Sequence, residues 1–494
     1  MSVRRAVTAA LLVAAATAAP LRAQERPEGP LAHALAPLFQ GRTWRYATWG
    51  ALVVSLTRGD TLLSYRADRR FVPASNAKLF TTAAALHYLG PGFQFLTVLF
   101  AGGPVRDSTL YGDLVLYGTG DPTFGLDTAA LAPFADSVVR LGIRRVRGDL
   151  VGNASFLGAE LAGPGWSPEN LDQWFAAPPS ALGAAGNLVE ITVEPGEHRG
   201  DPAVVTMDPP NDYFVVSSTV VTGRSRRTRI NLRRGSTGRA IVLSGSISPS
   251  RREWRTWAVV QEPALFAAGL LRSLLAARGV TVSGSTRSAT DDAPGRGRQL
   301  LAWARGGSDA PLAGAIAVRR SESLGDLVEM INHRSHNLSA ELVFRSIGRS
   351  VSGAGTFASG ARAVGQFLRD TVGIAPTAFT VSDGSGLSIL DQATPRSLVQ
   401  LLAYERRAPE AEVFWRSLPE VGDGLDGRME DTPAEGRLRA KTGTLKNASA
   451  LAGYVSAADG EELAFSIIVN DAWRIQRARR IQDEIGAKLA EFSR

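Results

Sequence analysis

Apolar and polar positions alternate through ATWGALVVSLTRGDTLLSYRADRRFVPAS, residues 47–75, which predicts two strands joined by a turn at Gly59-Asp60. The pattern then changes. FVPASNAKLFTTAAAL, residues 71–86, is apolar at nearly every position after its first turn, and it predicts a buried helix ending near Gly90-Pro91. From about 95 to 300 the chain breaks into short β runs separated by Gly, Pro and Asp. LYGDLVLYGTGDPTFG and VRGDLVGNASF read as related strand-turn pieces. A strand-poor stretch follows GPGW at 163–166. ITVEPGE, VVTMDPP, RINLRRG and RAIVLSGSIS then suggest a small β-rich unit. QEPALFAAGLLRSLLAARGV, 261–280, has helical periodicity with Pro263 near its start and Gly279 at its end, and a Gly, Asp and Arg-rich linker occupies 291–298.

Beyond about 312 the periodicity is helical. LGDLVEMINHRSHNLSAELVFRSIG reads as a helix, a bend and a second helix, followed by helices in ASGARAVGQFLRDTVG and TPRSLVQLLAYERRA. Strand alternation returns in RLRAKTGTL and ALAGYVSAADGEELAFSIIVN, with a turn at Asp459-Gly460. IQRARRIQDEIGAKLAEF should be a closing helix packed on that sheet. Strands come early and late with helices between, so the first pair and the last strands are expected to share one sheet. Residues 95–310 would then be an insertion in one α+β domain.

Composition narrows the picture. A chain of 494 residues exceeds one compact core, and 44 % apolar with 21 % charged residues is an ordinary globular balance. MSVRRAVTAALLVAAATAAPLRAQE has the basic start, short apolar middle and small residues of a secretory leader cut after Ala23; an uncleaved anchor is the other reading. No later segment is apolar enough to span a bilayer, so export to the periplasm without a membrane span is expected. The absence of cysteine removes thiol nucleophiles and thiolate metal sites. The formal charge is +8, and it becomes +5 when Arg4, Arg5 and Arg22 leave with the leader. Arg224, Arg226, Arg227 and Arg229 form one local run, read as a solvated loop or edge strand. A nucleic-acid partner is excluded by the exported character and the lack of a binding motif.

Three short pieces carry candidate chemistry. Ser75 and Lys78 lie three apart and so share a helix face. A serine hydroxyl needs a base to become a nucleophile, and a lysine serves when burial and nearby positive charge keep it neutral. The free N–H groups of a helix start also suit an oxyanion. The same spacing occurs on ordinary surface helices. Ser335-His336-Asn337 sits at the bend between two helices, where Ser335 could relay a proton and Asn337 hold a substrate amide. Asn337 could equally be a plain helix cap. Lys441-Thr442-Gly443 falls on a strand: a cation and a hydroxyl suited to a carboxylate, and a glycine that lets a ligand backbone approach. An extended peptide could pair along that edge, or Lys441 could merely discourage edge aggregation.

In this order, the three pieces resemble the S-x-x-K, S-x-N and K-T-G set of penicillin-binding proteins and serine β-lactamases. Ser75 and Ser335 are 260 residues apart, more than a compact β-lactamase allows. The layout resembles the low-molecular-mass class C penicillin-binding proteins, the D-Ala-D-Ala carboxypeptidase/endopeptidase family (serine peptidases S13). YGDLVLYGTGDPTF at 111–124, RGDLVGNASF at 147–156, GPGW at 163–166, DGSGLS at 383–388 and LPEVGDGLDGR at 418–428 fit the same family. The resemblance implies a transpeptidase-like domain, a helical cluster on an antiparallel sheet, over 24–95 and 312–494. Two β-rich domains would be inserted, one over 96–162 and 246–311, the other over 163–245.

It also implies acyl transfer without metal or cofactor. Lys78 would take the proton of Ser75, which attacks the carbonyl between two terminal D-alanines. The N–H groups of Ser75 and Thr444 would form the oxyanion hole. Ser335, supported by Lys441, would protonate the leaving amine. Asn337, Lys441, Thr442, Gly443 and Thr444 would hold the substrate. Peptidoglycan stem peptides and β-lactams are the implied partners, and a homodimer is compatible with the family. A β-lactamase-like amidase or a non-catalytic envelope scaffold of the same fold are the rival readings. His336 stands where the family commonly has Asp, and LDGR at 425–428 departs from the usual turn; His336 could alter the local pH response.

Other constellations fail. GTGDPTFG does not match G-x-G-x-x-G and no phosphate-capping helix follows it. His333 and His336 lack an H-E-x-x-H frame, and there is no G-x-S-x-G elbow.

Overall fold

The computed structural model describes residues 29–39, 44–124, 128–235, 238–291, 295–307 and 312–494, so the leader expected over 1–23 lies outside the described residues. Its centre is a five-stranded antiparallel sheet in the order Thr61–Tyr65, Thr48–Ser55, Glu462–Asn470, Ala448–Ser456, Leu438–Leu445. The first pair and the last three strands therefore do share one sheet. The interior strands are buried on both faces, because helices cover both sides. The closing helix Ile475–Glu491 lies on one face with Ala478, Ile485 and Leu489 inward. On the other face lie Ala77–Leu89, Leu324–Arg334, Asn337–Ser352, Phe357–Gln366 and Pro395–Glu405.

Ala77–Leu89 is packed on every side: all its residues except His87 and Tyr88 are buried. A lysine normally threads its ammonium out to water along an apolar stem. Lys78, enclosed at the start of this helix, does not reach water.

The inserted region is a set of smaller sheets. Thr286–Ala289, Leu150–Asn153, Leu114–Gly118, Leu96–Ala101 and Ala315–Arg320 make one sheet. The two related strand-turn pieces lie side by side in it, Leu114–Gly118 running parallel to Leu150–Asn153. Pro263–Ala276 covers the sheet, together with Ala132–Arg140, a helix absent from the sequence reading. Leu188–Glu194 pairs with Val204–Asp208 and Trp254–Val259, and Ala240–Ile247 pairs with Arg229–Arg234. The arginine run accordingly falls on an exposed loop and the start of the Arg229–Arg234 strand.

Strand pairing moves two expected borders. Ala240–Ile247 runs across the border expected at 245/246, and Trp254–Val259 joins the sheet of Leu188–Glu194, so that unit extends to about 259. Ala315–Arg320 pairs with Leu96–Ala101, which carries the insert past 312. Hydrogen-bonded ladders between segments distant in sequence fix these limits, and composition shifts do not reveal them.

Candidate active site

The chain reaches Ser75 through a strained turn. Ala74 has φ +49°, a region that costs a non-glycine residue energy, and Ala74–Asn76 is a 3₁₀ turn running into the Ala77–Leu89 helix. Ser75 thus sits just before the α-helix, one turn ahead of Lys78. The second motif uses the same device: Ser335, at φ +52°, ends the Leu324–Arg334 helix, and Asn337 opens the next. Its cap is His336, whose Nδ1 accepts from the Ser339 N–H at 3.3 Å and contacts Ser339 Oγ at 2.7 Å. Capping therefore does not occupy Asn337, whose side chain turns into the site.

Lys78 Nζ joins the pieces. It donates to Ser75 Oγ at 3.0 Å, Asn337 Oδ1 at 2.7 Å and the Ser385 carbonyl at 2.7 Å. Asn337 Nδ2 donates to the Phe175 carbonyl at 2.8 Å, which fixes the amide with its oxygen toward Lys78. Burial pulls the Lys78 amine down to about 8, against the opposing pull of Glu341, Asp383 and Asp391. Burial and then the Lys78 charge push Lys441 well below the usual lysine range, and its Nζ meets the Thr442 carbonyl at 3.1 Å. Burial, Lys78 and Arg334 lower His336 to about 4. A histidine lowered this far is neutral across the physiological range.

Ser75, Ser335, Asn337 and Thr444 line an open cleft of about 650 Å³, with Trp174 and Trp257 of the inserted region on its far wall. Lys78 and Lys441 lie beneath it, fully enclosed. Leu438–Leu445 is an edge strand of the central sheet: the 419–421 segment bridges to Leu438–Ala440, and beyond Ala440 no described strand pairs with its outer edge. Thr442 is half-buried and outside the lining. Gly443 also meets a demand inside the fold. A Cβ there would stand 2.7 Å from the Pro73 carbonyl and 3.0 Å from the Ser75 nitrogen, so the glycine lets the strand close on the serine turn. Buried Asn76, its amide oriented to satisfy both neighbours, adds a bond to the Lys441 carbonyl at 2.9 Å.

Several residues around the site had no role in the sequence reading. Glu341, Asp383, Ser385 and Asp391 are buried behind Lys78. Trp166 Nε1 donates to Asp383 Oδ2 at 2.7 Å. Trp166 and Asp383 stand in the GPGW and DGSGLS stretches. Glu341 had a signal of its own: an acid four residues after Asn337, on the same helix face, in the otherwise apolar AELVF. Among the described residues no group of three His, Cys, Asp or Glu side chains could hold a metal ion.

A helical cluster on an antiparallel sheet, with a Ser-Lys pair under the sheet edge, defines a penicillin-binding, β-lactamase-like serine hydrolase fold. The structure of penicillin-binding protein 4 (DacB) from Haemophilus influenzae superposes with a TM-score of 0.80 at 22 % identity, covering 93 % of this chain and 99 % of that one. The same protein complexed with a β-lactam gives 0.74. In sequence, a D-alanyl-D-alanine carboxypeptidase from Actinomadura sp. (strain R39) is 34 % identical over 463 residues, 90 % of this chain and 82 % of the relative. DacB of H. influenzae is 26 % identical over 430 residues, 85 % of each. The model of the D-Ala-D-Ala carboxypeptidase 3 (S13) family matches residues 31–491, and the chain belongs to that family of serine peptidases. No described helix is long and apolar enough to cross a membrane.

Proposed function

We propose that this protein is an exported serine D-Ala-D-Ala carboxypeptidase working on peptidoglycan stem peptides through a Ser75 acyl-enzyme. The observation that carries it is a buried Lys78 whose Nζ stands 3.0 Å from Ser75 Oγ. Lys78 takes the hydroxyl proton as Ser75 Oγ bonds to the carbonyl carbon between the two terminal D-alanines. The N–H groups of Ser75 and Thr444 hold the oxyanion. Ser335 passes the proton taken up by Lys78 to the departing D-alanine amine, a transfer that Lys441 supports electrostatically. Asn337 orients Lys78 and meets the peptide amide, while Thr444 on the cleft wall, with Lys441 beneath it, receives the terminal carboxylate. Water then cleaves the ester and regenerates Ser75. The open cleft and the strand edge beyond Ala440 also leave room for a cross-linking peptide, which supports endopeptidase action at the same serine. The H. influenzae relative binds a β-lactam, and a β-lactam should acylate Ser75 here.

The test is labelling by a fluorescent penicillin, read by intact mass, with Ser75→Ala alongside. A lasting adduct on the wild type alone is expected. Drug consumed by the wild type without a lasting adduct would make the protein a β-lactamase. Intact drug and no adduct would leave an envelope scaffold.

A further inference from the structure

Behind Lys78, on the side away from Ser75, lies a buried acid cluster. Glu341 projects from the Asn337–Ser352 helix, and Asp383 and Asp391 flank the 383–391 loop. Glu341 Oε2 accepts the Gly384 N–H at 2.7 Å and Oε1 accepts the Ser385 N–H at 2.8 Å. Burial and then Asp383 push this carboxyl up to about 8, while the two N–H bonds and the Lys78 charge favour its ionised form. Asp383 is used fully: Oδ1 accepts from Ser385 and Gly386 N–H at 3.1 and 2.7 Å, and Oδ2 from Ser388 N–H and Trp166 Nε1, each at 2.7 Å. Asp391 Oδ1 accepts the Ser382 N–H at 2.6 Å. Its Oδ2 has no partner, and burial, with the Asp383 charge beside it, pushes its carboxyl well above the usual carboxylate range.

The loop these acids hold meets the base through the Ser385 carbonyl on Lys78 Nζ. Thr81 Oγ1 adds a bond to the Gly384 carbonyl at 2.8 Å. A Cβ on Gly386 would stand 1.9 Å from the Ala74 carbonyl, so the loop also abuts the turn that carries Ser75. We infer that Glu341 is a positioning residue for the acylation step: it holds the Ser385 carbonyl against Lys78 and, with Asp383 clamped by Trp166 of the inserted region, supplies the negative field that favours the ammonium formed when Lys78 takes the Ser75 proton. No group beyond Ser75 and Lys78 exchanges a proton in this step. The inference rests on the proposed roles of Ser75 and Lys78. It also gives the 163–166 segment of the inserted region a part in catalysis.

Lys78 is faced by Ser75 from its own turn, by Asn337 and Glu341 from the next helix, by Ser385, Asp383 and Asp391 from the loop, and by Lys441 and His336. Glu341 heads the acids that raise the amine, and Lys441 and His336 are unchanged by the variants below.

The experiment follows the second-order rate of penicillin labelling against pH for the wild type, Ser75→Ala, Glu341→Gln and Trp166→Phe. Glu341→Gln should label at least tenfold more slowly, because one Gln N–H must face a loop N–H and displaces the Ser385 carbonyl. The acid limb of its profile should move to lower pH, because the charge favouring the ammonium is gone. Trp166→Phe keeps the ring beside Phe357 and loses the bond to Asp383; it should label about threefold or more slowly. A purely structural acid cluster would lower the melting temperature and leave the rate and the limb of the labelled fraction where they were, overturning the inference. If Glu341→Gln does not fold, Trp166→Phe decides alone, and labelling at the wild-type rate overturns it. A wild type that is not labelled at Ser75 overturns the proposed function and this inference together.

Discussion

Lys78 and Lys441 are the same residue type in the same enclosure, and their surroundings make them different reagents. Neither reaches solvent, and burial lowers both amines. Lys78 has three acceptors within 3.0 Å and three acids behind it, which hold it at about 8. Lys441 has one carbonyl at 3.1 Å and the positive charge of Lys78 beside it. An amine near 8 is a working base around neutrality. A buried amine lowered with another cation beside it gains most from an incoming anion. The pair thus divides base and carboxylate receptor by what stands next to each nitrogen.

The largest effect should come from the base. Lys78→Met keeps the stem and removes the amine, and acylation should fall about 10³-fold. In the wild type the acylation rate should climb with pH and level off above about 8, since the lowered amine is free only above that value. A flat profile from pH 6 to 9 would contradict the assignment of Lys78 as the base. Lys441→Ala should cost about 10²-fold on a peptide with a free terminal carboxylate. On the same peptide with an amidated terminus, wild type and Lys441→Ala should differ much less. Equal losses on both peptides would mean that Lys441 does not receive the carboxylate.

Gly443→Ala tests how closely the two lysines' segments must meet. The added Cβ would press on the Pro73 carbonyl and the Ser75 nitrogen, which are backbone atoms with nowhere to go. Acylation should fall roughly tenfold, the effect of displacing a reacting group by a fraction of an ångström. Wild-type kinetics in Gly443→Ala would show that the strand does not set the serine's position.

How far the sequence announced this site follows from the range of its interactions. Ser75-Lys78, Ser335-Asn337 and the Lys441 strand were legible because each is a local pattern, and so were the buried helix and the split central sheet. The 132–140 helix was not: APFADSVVR is short and stands among turn-forming residues, and it is held by Phe134, Ala135 and Val138 packing into the inserted core. The borders near 259 and past 312 depend on ladders between strands far apart in the chain. The role of His336 as cap, leaving Asn337 free, depends on one backbone turn at Ser335. The acid cluster depends on a tryptophan and a loop separated by 217 residues.

His336 extends the comparison to a third base. If burial beside Lys78 lowers basic groups here, His336 must follow, and its cost must appear in stability. In the unfolded chain a histidine takes up a proton near 6.5, whereas in the folded protein His336 resists until about 4. The unfolded state therefore binds more protons in that window. The stabilisation is fully present above 6.5 and is lost as pH falls toward 4. His336→Asn keeps a capping oxygen and has nothing to protonate. Urea unfolding of the two proteins should give similar midpoints at pH 7.5. At pH 4.5 the wild type should have lost more, by at most about 3 kcal/mol at 1.36 kcal/mol per pKa unit. Equal losses would show that His336 titrates alike in the folded and unfolded chains, and burial beside Lys78 would then not set the charge of its neighbours.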